Sequence, residues 1–188
     1  MTDCRISPVT LLRPSLEWLP AYEDALAQGW SPNTDQDVSR EQLRQLRRNP
    51  ERFLHDLYNS RLVRLPDGRE VPRLPAHDFW ISDGEFCGRI GFRFQPGTEE
   101  LPRSAYGHIG YTIVPWKQRR GYATDALRQI LPVCRAEGFS RVLITCDDDN
   151  EGSRKVILAN GGILAGAIPH DRRPGHSKLS FWVPTPDP

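Results

Sequence analysis

The stretch Gly107-His-Ile-Gly-Tyr-Thr-Ile-Val-Pro115, continued by Trp116-Lys-Gln-Arg-Arg-Gly-Tyr-Ala123, decides how this chain is read. Its β-branched residues ask for a strand, and Pro115 stops it. A short basic loop containing Gly121 then opens a long pattern of helical periodicity. The first backbone N–H groups of a helix have no intrahelical acceptor, and the helix dipole places partial positive charge at the same end. A glycine lets the backbone approach a bulky anion, and Lys117, Arg119 and Arg120 add full charges beside those donors. The stretch from Gln118 to Thr124 therefore reads as a cradle for a phosphate or pyrophosphate.

Outward from this loop, Tyr122 to Glu137 reads as a helix closed by Gly138, and Arg141 to Cys146 as a strand apolar enough to be buried on both faces. A strand, a crossover helix and a strand in that order predict a parallel, right-handed unit. Asn150 or Glu151 begins another helix, ending at Asn160-Gly161-Gly162, and Ile163–Ile168 and Lys178–Val183 complete the sheet. Upstream, Ile6–Leu12 reads as a first strand. Ser15 caps a helix through Leu16, Leu19, Tyr22, Ala25 and Leu26, and Ser39 with Gln42 resembles a capping box. The helix through Leu43 and Leu46 breaks at Pro50, and Phe53, Leu54, Leu57 and Tyr58 mark one face of the next. Leu65–Pro75 is a turn-rich connector, and His77–Ser82 and Glu85–Phe94 are strands joined at Asp83-Gly84.

The chain has 188 residues, enough for one α/β domain with a proper core, here taken as residues 1–188. A formal net charge of +1 argues against nucleic-acid binding through a basic excess. No segment is apolar enough for a signal peptide or a membrane span, so a cytoplasmic location is expected. Cys4, Cys87, Cys134 and Cys146 form no C-x-x-C pair and read as buried filler in a reducing compartment, not as metal ligands.

Gln118-Arg-Arg-Gly-Tyr-Ala123 resembles the Q/R-x-x-G-x-G/A pyrophosphate signature of the GCN5-related N-acetyltransferase (GNAT) superfamily, and the flanking elements come in that fold's order. Gly107–Pro115, Thr145–Ser153 and Asn160-Gly-Gly162 are similar to a bacterial group of predicted acetyltransferases. The resemblance implies a mixed, mostly antiparallel sheet flanked by helices. It splays between a parallel pair of strands, here Ile109–Val114 and Val142–Cys146. It implies acetyl-CoA as cosubstrate, with pantetheine in the gap, and no metal. The backbone of Ile113 and Val114 would pair with pantetheine. Gln118, Arg119, Arg120, Gly121, Tyr122, Ala123 and Thr124 would hold the pyrophosphate, and Asn150 and Ser153 would approach from the other side. The reaction implied is direct acetyl transfer to the primary amine of a small molecule. A protein N-terminus or lysine is the alternative acceptor, and a non-catalytic acyl-CoA-binding module the alternative from another class. A homodimer through sheet edges is compatible with the fold.

Aminolysis of a thioester needs a neutral amine, a polarised carbonyl and a proton for the departing thiolate. His108 is a candidate general base, and strand alternation sets it on the face of Gly110, Thr112 and Val114. The other reading is a histidine hydrogen-bonded to backbone. Many superfamily members carry a tyrosine after the helix-capping Asn that protonates the thiolate; here that place falls on Ile157, which has no proton to give. Ser153, a water, Tyr106 or Tyr111 could substitute, and because CoA thiol is a fair leaving group the reaction could also proceed without an acid. Asp147-Asp148-Asp149 reads either as a solvated turn or as an attractor for a cationic acceptor. The acceptor pocket is expected among the first-half helices and the loops Gln95–Ala105 and Pro169–His176, with Trp30, Trp80, Phe92, Arg93 and Phe94 as candidates. Gly121→Glu is expected to abolish acetyl-CoA binding without unfolding the chain. Calorimetric titration beside a thermal melt checks this, and unchanged affinity in a folded variant would remove the cradle.

Overall fold

A computed structural model describes residues 9–34, 36–65, 68–102, 105–187. The segment Met1–Pro8, which holds Cys4 and the start of the expected first strand, lies outside the described residues. The elements run β1 (Thr10–Leu12), α1 (Leu19–Ala27), α2 (Ser39–Arg48), α3 (Pro50–Asn59), β2 (Leu62–Arg64), β3 (Glu70–Pro72), β4 (Ala76–Ser82), β5 (Phe86–Arg93), β6 (Ile109–Ile113), α4 (Tyr122–Ala136), β7 (Arg141–Asp147), α5 (Glu151–Ala159), β8 (Ile163–Pro169) and β9 (Ser177–Pro184). Among the described residues the strands form a sheet ordered β1-β4-β5-β6, a second ordered β7-β9-β8, and a separate β2-β3 pair, and every ladder in them is antiparallel.

The β1-β4-β5-β6 sheet is covered on both faces. Ile81, Ile90 and Phe92 face Ala126, Leu127, Ile130 and Cys134 of α4, and this core continues through Val142, Ile144 and Val183 of the second sheet. Trp80, Phe86 and Val114 face Leu19, Tyr22, Leu26, Leu46 and Phe53 of α1, α2 and α3. Tyr22 is at the centre of that smaller core. Its ring stacks on Trp80 with centroids 4.8 Å apart, and its hydroxyl donates to Gln42 Oε1 at 2.5 Å. Burying rings of this size is worth several kcal/mol.

Several local readings change. Ser15 precedes a single 3-10 turn, Leu16–Trp18, that leads into α1, and Leu16 is exposed. Ser39 is the first residue of α2 and no capping box forms. Asp37 Oδ1 instead accepts both the Ser39 N–H (2.9 Å) and its hydroxyl (2.6 Å), because a carboxylate competes better for those donors. Asn49 caps α3 by accepting the Arg52 N–H at 2.8 Å, with Pro50 at the first helical position. The expected connector 65–75 is half of a hairpin, with Leu62–Arg64 on Glu70–Pro72; its strands are too short and exposed to show a hydrophobic period. β7 is buried on one face only: Val142, Ile144 and Cys146 point inward while Arg141 lies over the Trp182 ring at 4.2 Å. Cys87, Cys134 and Cys146 are free and buried, as their positions suggested.

Candidate active site

Among the described residues, hydrogen bonds link the start of β6 to β7 at His108, the residue before the strand. Its N–H donates to the Leu143 carbonyl at 2.7 Å, and its Nδ1 accepts the Leu143 N–H at 2.9 Å. A ring nitrogen has taken the place that a backbone carbonyl would hold in a continuing ladder. Among the described residues β6 otherwise pairs only with β5, and β7 only with β9. On the β5 side, Arg93 N–H donates to His108 O and Val114 N–H to Cys87 O. By antiparallel alternation Gly110 and Thr112 also bond to β5, so Ile109, Tyr111 and Ile113 turn their N–H and C=O groups to the unpaired edge. Such an edge is a row of backbone donors and acceptors suited to an extended amide chain.

At the end of this edge the chain turns into the cradle. Gly121 adopts φ 78°, ψ 0°, and Arg119 is the described non-glycine residue with positive φ, at 61°. Left-handed residues alternating with right-handed ones turn successive N–H groups into one concavity, and the N-terminus of α4 follows at once. Gln118, Arg119 and Arg120 are exposed, while Gly121, Ala123 and Thr124 are half-buried. Gln118 Nε2 donates to Ile113 O at 3.2 Å, and Asn160 Nδ2 donates to Thr124 O at 3.1 Å, which ties α5 to the start of α4.

Two expected members of the site have other partners. Val114 gives its N–H to Cys87 and its carbonyl accepts the Lys117 N–H at 3.0 Å, so its backbone is occupied; of the expected pair, only Ile113 faces the edge. Lys117 is buried and its ammonium bonds Asp83 at 2.6 Å and Glu85 at 2.7 Å. Tyr122 is also buried and its hydroxyl donates to Asp83 Oδ2 at 2.6 Å. Burial alone would raise the Asp83 pKa, but these hydrogen bonds hold its carboxyl well below the usual carboxylate range. The β4–β5 turn thereby anchors the loop from beneath.

On the opposite side, Asn150 Oδ1 caps α5 by accepting the Ser153 N–H at 2.9 Å, and the Ser153 hydroxyl meets the Tyr111 hydroxyl at 2.7 Å. Tyr111 is the strand residue that carries this contact across the gap. Burial raises its pKa above the ordinary tyrosine value, with the Ser153 hydrogen bond a smaller opposing effect. Ile157, on the same helix, is fully buried in the core. Tyr106 donates to Asp171 at 2.7 Å instead.

His108 is 1% exposed and sits against Phe92 and Phe139 rather than beside Gly110 and Thr112, since turning its N–H toward β7 breaks the alternation. Its Nε2 reaches no hydrogen-bond partner among the described residues. Burial pushes its pKa down from 6.5 to about 4, against the opposing Leu143 contact. The acidic run is paired: Asp147 meets Lys178 (2.9 Å) and Arg173 (3.1 Å), Asp149 meets Arg173 (2.6 Å), and Asp148 meets His176 (2.9 Å).

A cleft of about 430 Å³ opens on the α1–α3 side of the first sheet, between α2, the β2–β3 hairpin and strands β4, β5 and β6. Gly110 and Tyr111 form its wall at β6. Of the expected acceptor-pocket residues, Trp80, Phe92 and Arg93 border it, Trp30 and Phe94 are core, and the 169–176 loop takes no part. Arg73, Asp78 and Arg89 also line it. Sequence reasoning missed these three because they meet only through the strand register.

The family model described as an acetyltransferase (GNAT) domain matches residues 20–163. The chain belongs to this family. No curated protein matches the sequence. Similar solved structures include Mycobacterium smegmatis RimJ in complex with CoA-disulfide, with TM-score 0.67 and 19% identity over 95% of this chain and 83% of that one. RimL, a ribosomal L7/L12 α-N-protein acetyltransferase solved with coenzyme A, gives TM-score 0.65 and 18% identity over 96% and 97% of the two chains. The microcin C7 self-immunity acetyltransferase MccE, solved with acetyl-CoA and AMP, gives 0.62 and 18% over 94% and 92%. At these identities the likeness is one of fold, and it agrees with the α/β architecture found here, antiparallel ladders flanked by helices.

The depressed His108 pKa has a testable sign. The fold favours the neutral ring, so its contribution is complete above about pH 6.5 and is lost as pH falls through about 4. Wild type should lose on the order of 3 kcal/mol from this group between those values. His108→Gln keeps an acceptor for Leu143 and should lack that component. Urea unfolding of both proteins across the range checks this, and parallel pH curves would contradict it.

Proposed function

We propose that this GNAT protein transfers the acetyl group of acetyl-CoA directly to the primary amine of a small molecule. The observation that carries the reading is the unpaired β6 edge running straight into the left-handed turn at Gly121. One end of that track suits the amides of pantetheine and the other a pyrophosphate. Gln118, Arg119, Arg120, Gly121, Tyr122, Ala123 and Thr124 supply the cradle, Ile113 the strand contact, and Asn150 and Ser153 the far wall. The chain needs no metal for these steps.

The acceptor enters from the 430 Å³ cleft and meets the thioester beside Tyr111, which borders the cleft and touches Ser153. The amine attacks as its free base, forming a C–N bond while the carbonyl electrons move to oxygen. A strand-edge N–H is suited to receive that oxyanion. Collapse breaks the C–S bond, and one proton must pass from nitrogen to sulfur. The Tyr111–Ser153 hydroxyl pair is placed to relay it, with Tyr111 supplying what Ile157 lacks. Because burial keeps Tyr111 protonated, it acts as a hydrogen-bond donor to the developing thiolate and never as a standing base. His108 is assigned to positioning, since its buried ring holds the strands and meets no solvent.

A second reading, in which the acceptor is a protein N-terminus, draws on the RimL likeness and differs only in what fills the cleft. Among the described residues no helix is long and apolar enough to cross a membrane, and a cytoplasmic site of action fits both readings.

Tyr111→Phe should lower kcat by about 10- to 100-fold, a modest loss for proton relay because a thiol is a fair leaving group. The KM for acetyl-CoA should stay within about two-fold, since the edge backbone is untouched. Adding Ser153→Ala should cost little more if the two hydroxyls act as one unit. Thiol-release kinetics on the three variants decide it, and an unchanged kcat in Tyr111→Phe would remove the relay.

A further inference from the structure

The cleft holds a fixed cationic cluster that acetyl transfer itself does not use. Among the described residues its charged lining consists of Arg73, Arg89, Arg93 and Asp78, three guanidiniums to one carboxylate. Asp78 is shared: Oδ1 takes the Arg89 guanidinium, and Oδ2 takes Arg73 at 3.0 Å. Arg89 also donates from Nη1 to Pro32 O at 3.2 Å, which fixes it against the loop before α2. Arg93 donates from Nε to Gly107 O at 2.8 Å.

The cluster has a reserved place in the sheet. Asp78 is opposite Gly91, and Gly91 is opposite Gly110, so one row runs from the cluster to the β6 wall. A Cβ at Gly91 would lie 2.5 Å from Asp78 Oδ1 and 2.8 Å from Arg89 Nη2. The missing side chain is therefore the space in which the pair sits. All three members of the pair-and-partner set are mostly buried, with side-chain exposures of 19% to 28%. One carboxylate between two guanidiniums leaves a unit of positive charge in a half-buried cleft, where solvent compensates it poorly and an oxyanion compensates it well. Strand spacing puts Asp78 about 10 Å from Gly110 along the row.

We infer that the acceptor is a primary amine carrying an anionic group, a carboxylate or a phosphate, and that Arg73 and Arg89 bind this group while the amine reaches Tyr111. The inference rests on the acetyl-transfer reading for the amine and on the cleft alone for the anion.

The test compares 4-aminobutyrate, 3-aminopropyl phosphate and 4-aminobutanamide as acceptors in a thiol-release assay. It also follows binding of each to the protein with CoA by calorimetry. The anionic amines should exceed the amide in kcat/KM by about 10- to 100-fold, the range of a charge-assisted contact. Whichever anionic probe leads identifies carboxylate or phosphate as the better fit. Arg73→Gln and Arg89→Gln should each shrink the anionic-to-neutral ratio toward one, a ratio unaffected by any unfolded fraction. Equal rates and equal affinities for all three probes overturn the inference, as does a ratio that neither variant changes. Arginine-dependent binding of the anionic probes without thiol release would sustain the anion site and remove acetyl transfer.

Discussion

A single side-chain-to-backbone hydrogen bond, His108 Nδ1 to the Leu143 N–H, sets the geometry on which the site depends. On one side His108 gives its N–H to Leu143 O and its ring takes the Leu143 N–H; on the other its carbonyl accepts the Arg93 N–H of β5 and so is turned away from β7. The ring packs among Phe92, Phe139 and Trp182 at this junction. Depressed basicity follows from the same burial: charging this ring would disrupt both the core and the hydrogen bond. The open edge of β6 begins at this buried residue.

From that junction the other parts acquire their positions. The edge leads to the Gly121 turn, and the turn is fastened to the β4–β5 loop by Lys117 and Tyr122 converging on Asp83. A phosphate-binding loop needs its donors aimed in advance, and a buried ion pair beneath it supplies rigidity that exposed arginines do not. Across the gap Asn150 caps α5 and Asn160 ties it to Thr124, which sets Ser153 against Tyr111. Tyr111 belongs to the open edge, the hydroxyl pair and the lining of the cleft at once.

The fold order and the glycine turn that opens α4 were legible in the sequence because both rest on local signals: Pro115 after a β-branched run, one glycine before a helix, Asn150 three residues before Ser153. What was not legible depends on register and on partners distant in sequence. Lys117 looks like one more phosphate-facing cation until β5 brings Asp83 and Glu85 beneath it. Val114 looks like a pantetheine contact until the ladder assigns its N–H to Cys87. The face of His108 follows from alternation only if the strand is regular there, and it is not. Asp78 and Arg89 lie on β4 and β5 and Arg73 in the segment after β3, and Gly91 hints at them only once its neighbours are known.

The central claim is that the odd-numbered amides of β6 form an open edge waiting for acetyl-CoA. Residue-resolved amide hydrogen exchange, with and without acetyl-CoA, tests it most directly. The account predicts that Tyr111 and Ile113 exchange quickly in the free protein and become protected on binding. Gly110 and Thr112, bonded to β5, should be slow in both states. Equal protection of all four amides in the free protein, or no change at Tyr111 and Ile113 on saturation, would contradict it.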